Sequence, residues 1–112
     1  MEYDVNGTKI AANENGYMTN HTEWNEEVAK VIAAAEGIEL TDKHWDIMNY
    51  LRDEYINANE NQPNERTIMK EMGKKWGAKI SSKDTYELFP NMPSKQGAKV
   101  AGLPESRRKG GY

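Results

Sequence analysis

The sequence of 112 residues contains no cysteine. Without a thiol the chain cannot form a disulfide, a thiolate metal site or an iron–sulfur cluster, and it cannot carry out thiol chemistry. It also lacks an apolar run near the roughly 20 residues that a membrane helix needs. The first ten residues include Glu2 and Asp4 and no apolar segment typical of a signal peptide. We therefore expect a cytoplasmic protein with no membrane partner.

Recognisable catalytic and metal-binding motifs are absent as well. The two histidines, His21 and His44, lie on different predicted elements without a ligand motif, and His44 is expected to pack or cap a helix. Neighbouring carboxylates occur at Glu26-Glu27 and Asp53-Glu54, but adjacent helical side chains point about 100° apart and rarely form an acid–base pair. Glycine-rich phosphate loops and serine-nucleophile motifs are missing. We expect a binding protein without metal or cofactor, not an enzyme.

The charge is unevenly distributed along a chain whose length suits one domain. Three Trp, six Tyr and six Met are available for a core, although mean hydropathy is −0.96. Residues 1–65 hold 14 acidic and 4 basic side chains, whereas residues 66–112 hold 4 acidic and 11 basic ones. This asymmetry indicates either two matched halves of one fold or a surface for an acidic partner such as nucleic acid.

Turn and helix signals predict a mainly α protein, a small bundle of about five helices after an N-terminal β-hairpin. Asn6-Gly7 is the strongest hairpin signal. The first helix is expected to begin after residues 20–22, with an apolar stripe from Trp24 to Ala35, and to end at Gly37. Further helices are expected over 42–57, 65–75, 83–88 and 94–100. We assign residues 1–100 to the domain and residues 101–112 to a flexible C-terminal arm.

Motifs along nearly the whole chain carry a family resemblance. They include Asn15-Gly16-Tyr17-Met18, the run from Glu36 to Thr41 followed by His44-Trp45, Tyr50-Leu51-Arg52, Pro63 with Arg66, the run from Tyr86 to Pro90, and the run from Lys95 to Pro104. In this order and spacing the chain resembles the DsrC/TusE family, which comprises the dissimilatory sulfite reductase gamma subunit and sulfur-relay proteins of tRNA thiolation. The resemblance implies a helical bundle with a helix-turn-helix-like element, here the third and fourth helices, and a C-terminal arm.

The resemblance also implies where sulfur chemistry would be located. Family members that relay sulfur carry it on a penultimate arm cysteine, and sulfite-reductase-type members add a second cysteine earlier in the arm. These positions are Gly111 and Ala98 in this sequence. Because the thioether of Met cannot form a persulfide, the chain cannot itself be a covalent sulfur carrier.

What remains is a surface for partner proteins. Six residues retained in the arm pattern are candidates for contact with a sulfite reductase or a relay protein: Lys95, Gln96, Lys99, Gly102, Leu103 and Pro104. The alternative is that this segment packs on the bundle, with Val100 and Leu103 in apolar slots. Arg52 and Arg66 are read either as buried ion-pair residues or as partner contacts.

Three hypotheses about function follow, all for a protein expected to be monomeric. The first is a regulatory binding protein that occupies the docking site of a cysteine-bearing relative. The second is a DNA-binding regulator of sulfur genes, whose phosphate contacts would come from Lys70, Lys74, Lys75, Lys79, Lys83, Arg107, Arg108 and Lys109. The third is an accessory subunit of the sulfite reductase or of the tRNA-thiolation relay complex.

Overall fold

The computed structural model describes residues 1–106; residues 107–112 lie outside it. Within that part the chain forms a two-stranded antiparallel sheet and five α-helices, as the sequence predicts. The elements are β1 (Glu2–Val5), β2 (Thr8–Ala11), α1 (Glu26–Ala35), α2 (Asp42–Asn57), α3 (Glu65–Trp76), α4 (Ser82–Leu88) and α5 (Pro93–Val100). No helix of residues 1–106 is long and apolar enough to cross a membrane.

The predicted hairpin is confirmed. Tyr3 pairs with Ile10 and Val5 with Thr8 across the two strands. Asn6 and Gly7 make the turn with φ of 52° and 89°, the positive values that a two-residue hairpin requires. Tyr3, Val5 and Ile10 point into the core, and β1 packs on α1. Packing on a helix gives the hairpin the stability that two isolated strands lack.

The first helix begins later than predicted. A 3₁₀ turn at His21–Glu23 comes first, and α1 starts only after Asn25, whose side chain accepts a hydrogen bond from the Val28 amide at 3.0 Å. Trp24 therefore lies outside the helix, although its spacing to Val28 fits a helical stripe. The asparagine cap decides the boundary because it satisfies an amide that the first helical turn leaves unpaired.

Helix α5 lies at the centre of the bundle and packs against all four other helices. Gly97 makes a close approach to α2 possible, since a Cβ built there would lie 3.1 Å from Leu51 Cδ1. The buried core around α5 comes from every helix of the described chain except α4, together with Phe89, which directly follows α4. Helix α2 has the predicted bounds. Helix α3 ends one residue later than predicted, and α4 and α5 each begin one residue earlier.

The first residues of the predicted arm belong to the packed body. Ala101 and Leu103 are 0% and 1% exposed, and Gly102 is buried between them. The Leu103 amide donates to the Ala98 carbonyl at 3.0 Å, so the chain folds back over the end of α5. This corrects the expected start of a flexible arm at residue 101, because burial of these apolar side chains stabilises the packed arrangement. Arm residues 107–112 lie outside the described part.

His44 caps one helix and joins it to another. Its Nδ1 accepts from the Thr41 amide at 3.0 Å, and its Nε2 lies 2.8 Å from the Leu88 carbonyl. An amide can only donate and a carbonyl can only accept, so the hydrogen bonds assign a neutral ring with the proton on Nε2. The ring also meets Phe89 edge to face at 5.1 Å. The expectation that His44 packs or caps is confirmed.

We predict that His44 makes stability depend on pH. Burial lowers the pKa of His44, and the hydrogen bond to Leu88 raises it by less. With the folded pKa below the unfolded value of about 6.5, the unfolded chain binds more protons, so stability is full above about pH 6.5 and falls as the pH drops below it. In His44→Gln, glutamine can still cap α2 but does not titrate. Urea unfolding at pH 7 and pH 5 should show a smaller loss in the variant; equal losses would contradict the assignment.

A second prediction concerns the close approach of Gly102 to Trp24. Gly102 has φ of +75°, and an added Cβ would lie 2.3 Å from Trp24 Cδ1. Gly37 is a matched control, because its φ is +73° and a Cβ there would meet nothing within 4 Å. We expect Gly37→Ala to cost about 1–2 kcal/mol of unfolding free energy from the backbone alone. Gly102→Ala should cost roughly a further 1–3 kcal/mol, because Trp24 must move.

Urea denaturation of both variants measures the difference. Equal costs would show that Trp24 moves aside freely and that the arm does not depend on this contact.

Candidate functional site

The position at which the resemblance implies an inner carrier cysteine is buried in this chain. Ala98 lies on α5 and is 2% exposed. Its carbonyl accepts from Leu103, which closes the chain over it. No sulfur nucleophile is present, and none could reach solvent from this position without movement of the surrounding chain. The second carrier position, Gly111, lies outside the described residues.

Three side chains hold the end of α5 and the segment that follows it by binding backbone carbonyls. Trp24 Nε1 donates to Val100 O at 2.9 Å, and Arg52 Nη1 donates to Ala101 O at 2.8 Å. Gln62 Nε2 donates to Pro104 O at 2.9 Å. We call residues 95–104 the arm base. Its position is fixed because buried carbonyls without partners would cost free energy.

A further contact anchors the next residue to the loop after β2. The Glu105 carboxylate accepts from Asn13 Nδ2 at 2.8 Å and from Asn15 Nδ2 at 3.0 Å on each oxygen. The hydrogen bond from Asn15 contributes most to lowering the pKa of Glu105. Asn13 in turn caps its own loop, since its Oδ1 accepts from the amides of Asn15 and Tyr17. These hydrogen bonds hold Glu105 against the loop that follows β2.

A half-buried ionic cluster joins the arm base to Glu36 at the end of α1. Glu36 Oε1 accepts from Gln96 Nε2 at 3.1 Å and lies 3.4 Å from Lys99 Nζ. The side chains of Lys99 and Glu36 are 18% and 19% exposed, so solvent screens this pair less than a surface pair. Lys99 also lies 5.1 Å from the Tyr17 ring centre. Burial, followed by the charges of Glu105 and Glu36, raises the pKa of Tyr17 to about 12, which keeps the phenol neutral.

These contacts place the six predicted arm residues in two groups. Gln96, Gly102 and Leu103 are buried, whereas Lys95, Lys99 and Pro104 are half-buried. The interpretation that Val100 and Leu103 fill apolar slots is confirmed by their exposure of 0% and 1%. Contact with a partner protein stays a prediction, and only the half-buried group offers side-chain surface for it.

The two arginines have different environments. Arg52 is half-buried, and besides Ala101 it reaches the His21 carbonyl at 3.4 Å and stacks on Trp24 with its guanidinium carbon 4.2 Å from the ring centre. Its role is structural, but its partners are carbonyls and a ring instead of the expected acid. Arg66 is exposed on α3 and forms no salt bridge within residues 1–106, so a buried ion pair there is wrong. Solvent hydrates the guanidinium at this exposed position.

The lysines considered for phosphate contacts lie on or between two helices that pack together. All five described candidates, Lys70, Lys74, Lys75, Lys79 and Lys83, are exposed on α3, on α4 or between them. Three of them line an open groove of about 500 Å³ with Met69 and Ile80 in its walls. Two are already engaged with acids: Lys74 lies 3.2 Å from Glu71, and Lys75 lies 4.0 Å from Asp46. Arg107, Arg108 and Lys109 lie outside the described residues.

Sequence reasoning missed the contacts that fix the arm base. The helical spacing places Trp24 in a core stripe, and no sequence pattern indicates a role for Gln62 or Glu105. Glu105 meets its partners across about 90 residues of chain, so no local pattern could indicate the pairing. Within residues 1–106 no group of three or more metal-ligating side chains comes together.

Comparison with known proteins places this architecture in a family. The model of the family described as DsrC like protein matches residues 4–108. The Sulfurtransferase TusE homolog of Haemophilus influenzae is 41% identical over 103 residues, which cover 91% of this chain and 94% of that protein. Sulfurtransferase TusE of Yersinia pseudotuberculosis is 41% identical over 106 residues, covering 94% and 95%.

Solved structures agree with the sequence relatives. DsrC of Allochromatium vinosum has a TM-score of 0.86 at 40% identity, and 96% of this chain and 98% of that chain are covered. The oxidized gamma-subunit of the dissimilatory sulfite reductase from Archaeoglobus fulgidus has a TM-score of 0.87 at 34% identity, with the same coverage. The family model and these relatives cover nearly the whole chain, and the solved structures share its fold. Although it contains no cysteine, this chain therefore belongs to the DsrC/TusE family.

Proposed function

We propose that this chain serves sulfur metabolism by binding protein partners, not by carrying sulfur or catalysing a reaction. The observation that carries the proposal is the absence of any thiol in 112 residues. Relatives named sulfurtransferases are 41% identical to this chain. The chain can therefore keep the surface by which these relatives bind their partners, although it lacks a thiol for their chemistry. Recognition is the activity that remains.

The arm base supports this proposal because it is a rigid structure without an internal chemical role. Lys95, Lys99 and Pro104 present half-buried side chains on a segment whose backbone is fixed by Trp24 and Arg52. A fixed segment binds with less loss of conformational entropy than a free one. The partner in this reading is a sulfite reductase or a sulfur-relay protein.

The proposed role is regulatory. A chain that occupies a partner's docking site without a carrier thiol blocks transfer through that site for as long as it stays bound. A permanent accessory subunit of the same complex is the alternative reading. It differs in stoichiometry and lifetime and would resist displacement once assembled.

We predict that the chain displaces a cysteine-bearing relative from its partner. The probe is the labelled Archaeoglobus fulgidus gamma-subunit bound to the remaining subunits of its sulfite reductase, titrated with unlabelled chain and followed by anisotropy. Displacement should weaken roughly 5- to 30-fold for Lys95→Glu, since charge reversal within an interface costs about 1–2 kcal/mol. Lys83→Glu is the matched control, because Lys83 is exposed on α4 and does not belong to the arm base.

Two results would contradict the proposal. One is an absence of displacement by the unaltered chain at any concentration. The other is a mass increase by one sulfur atom in the purified chain after incubation with inorganic polysulfide, because the proposal excludes a covalent adduct.

DNA binding is a second candidate, favoured by one observation. The five exposed lysines lie on α3, α4 and the short connection between these two packed helices. Phosphate contacts from such a surface are independent of base sequence and sensitive to salt. The ion pairs of Lys74 and Lys75 argue against full use of this surface, because DNA would have to replace Glu71 and Asp46 as their partners.

A gel shift with duplex DNA from a sulfur-gene promoter tests this candidate. If five to eight cations engage phosphates, affinity should fall roughly 10²- to 10⁴-fold between about 50 and 200 mM salt. Lys70→Gln with Lys79→Gln should weaken the shift, since both side chains are exposed and border the groove beside α3. No shift at low salt would remove DNA binding from consideration.

A further inference from the structure

The connection between α3 and α4 carries a cation that the described chain does not neutralise. Gly77, Ala78 and Lys79 are all exposed, and a Cβ built on Gly77 would meet nothing within 4 Å, so the space around this turn is open there. Lys79 forms no salt bridge within residues 1–106. Two small residues followed by an unpaired ammonium group make a narrow, positively charged edge. We call residues 77–79 the lysine turn.

A groove of about 690 Å³ between the start of α1 and the start of α2 has the opposite charge. Its walls combine two indole rings with polar and charged side chains: Trp24, Glu26, Lys30, Asp42, Trp45, Asp46 and Asn49. Glu26 and Asp42 are exposed, and neither forms a salt bridge in the part of the chain that the structure describes. Lys30 is paired with Glu27 at 3.4 Å. We call this the aromatic–acidic groove.

The aromatic wall of the groove suits an ammonium group. Trp24 and Trp45 are half-buried and meet edge to face, with ring centres 6.4 Å apart. The face of an indole attracts a cation, and Arg52 already stacks on Trp24 with its guanidinium carbon 4.2 Å from the ring centre. Among residues 1–106 no cation stacks on Trp45. A lysine that enters the groove can therefore meet both an unoccupied indole and unpaired carboxylates.

The two surfaces of opposite charge stay unpaired within one copy. Asp46, which belongs to the groove and lies next to α3, is already engaged, because it accepts from Trp76 Nε1 at 2.8 Å and lies 4.0 Å from Lys75. The other two acids of the groove and Lys79 keep their charges unpaired. Opposite charges that one copy leaves unpaired attract each other between copies, most strongly at low salt.

We propose that the lysine turn of one copy binds the aromatic–acidic groove of a second copy, with Lys79 against Trp45. Because the turn and the groove are different surfaces, the contact is heterologous, and each pair leaves one turn and one groove available for further copies. This association differs from the monomer that the sequence analysis expects. It also withdraws Lys79 from contact with DNA. The proposal is independent of the proposed function, because it requires only this chain.

Sedimentation velocity of the full chain, over a wide range of concentrations, tests the proposal. In low salt the weight-average mass should rise with concentration above the 12.8 kDa of one chain. It should return to the mass of one chain in about 0.5 M salt, where the screening length is only about 4 Å. Over the same range, the indole N–H signal of Trp45 in nuclear magnetic resonance spectra should shift with concentration.

Matched variants link the association to the two surfaces. Lys79→Gln should weaken it roughly 10-fold or more, because it removes a cation from an aromatic ring and from carboxylates. Arg66→Gln is the control, since Arg66 is also exposed and without a salt bridge within residues 1–106 but lies at the start of α3.

The acidic surface is tested in the same way. Glu26→Gln with Asp42→Asn should weaken the association about as much as Lys79→Gln, because the same contact loses its other partner. Glu39→Gln with Glu87→Gln removes equal charge from exposed positions outside the groove and should leave the association intact.

Mixing two variants tests whether the turn and the groove bind each other. The Lys79→Gln chain keeps an intact groove, and the Glu26→Gln, Asp42→Asn chain keeps an intact lysine turn. Each alone should stay monomeric where the unaltered chain associates. An equal mixture should form a dimer that does not grow further, because only one turn and one groove in it are intact.

Three results would overturn the proposal. The first is the mass of one chain at every concentration in low salt. The second is an association that Lys79→Gln leaves unchanged, or a mixture of the two variants that stays monomeric. The third is a difference at the Trp45 indole between the unaltered chain and Lys79→Gln that is the same at all concentrations, because it would assign the contact to a single copy.

Discussion

The structure depends on satisfying the backbone carbonyls of a turn that is buried against its own helix bundle. The chain leaves α5 at Val100, passes through Ala101 and folds back at Gly102 with almost no solvent contact. Three long side chains from separate parts of the sequence supply the missing donors: Trp24, Arg52 and Gln62. A helix or strand satisfies its carbonyls internally, but a buried turn cannot, so the donors must come from elsewhere.

How far the sequence predicts this fold depends on how local each signal is. The hairpin and α2 follow from neighbouring residues, since Asn6-Gly7 permits positive φ and Thr41 caps the helix at its predicted start. More than one residue near the start of α1 can cap a helix, and the apolar stripe that includes Trp24 does not show which of them does. The donors to the arm base are separated from their acceptors by 42 to 76 residues, beyond the reach of any periodic pattern.

The composition of residues 101–104 led to the wrong expectation of a flexible segment for a related reason. Gly102 and Pro104 are typical of mobile segments, and no helical spacing surrounds them. Burial of Ala101 and Leu103 nevertheless removes apolar surface from water, and the positive φ of Gly102 is what lets the chain fold back to do so. The glycine that suggested flexibility is the residue that makes the packed turn possible. Only knowledge of the opposing surface, Trp24, distinguishes the two readings.

The same turn bears on why binding, and not chemistry, is the proposed activity. Ala98 is covered by the fold-back, and its neighbour Gly97 packs against Leu51 and Ile47. A thiol introduced there would be held in an apolar environment, which raises its pKa and disfavours the reactive thiolate. Sulfur chemistry at this position would need both a cysteine and an opening of the arm base. Every hydrogen bond that fixes the arm base opposes that opening, so position 98 stays covered in the described structure.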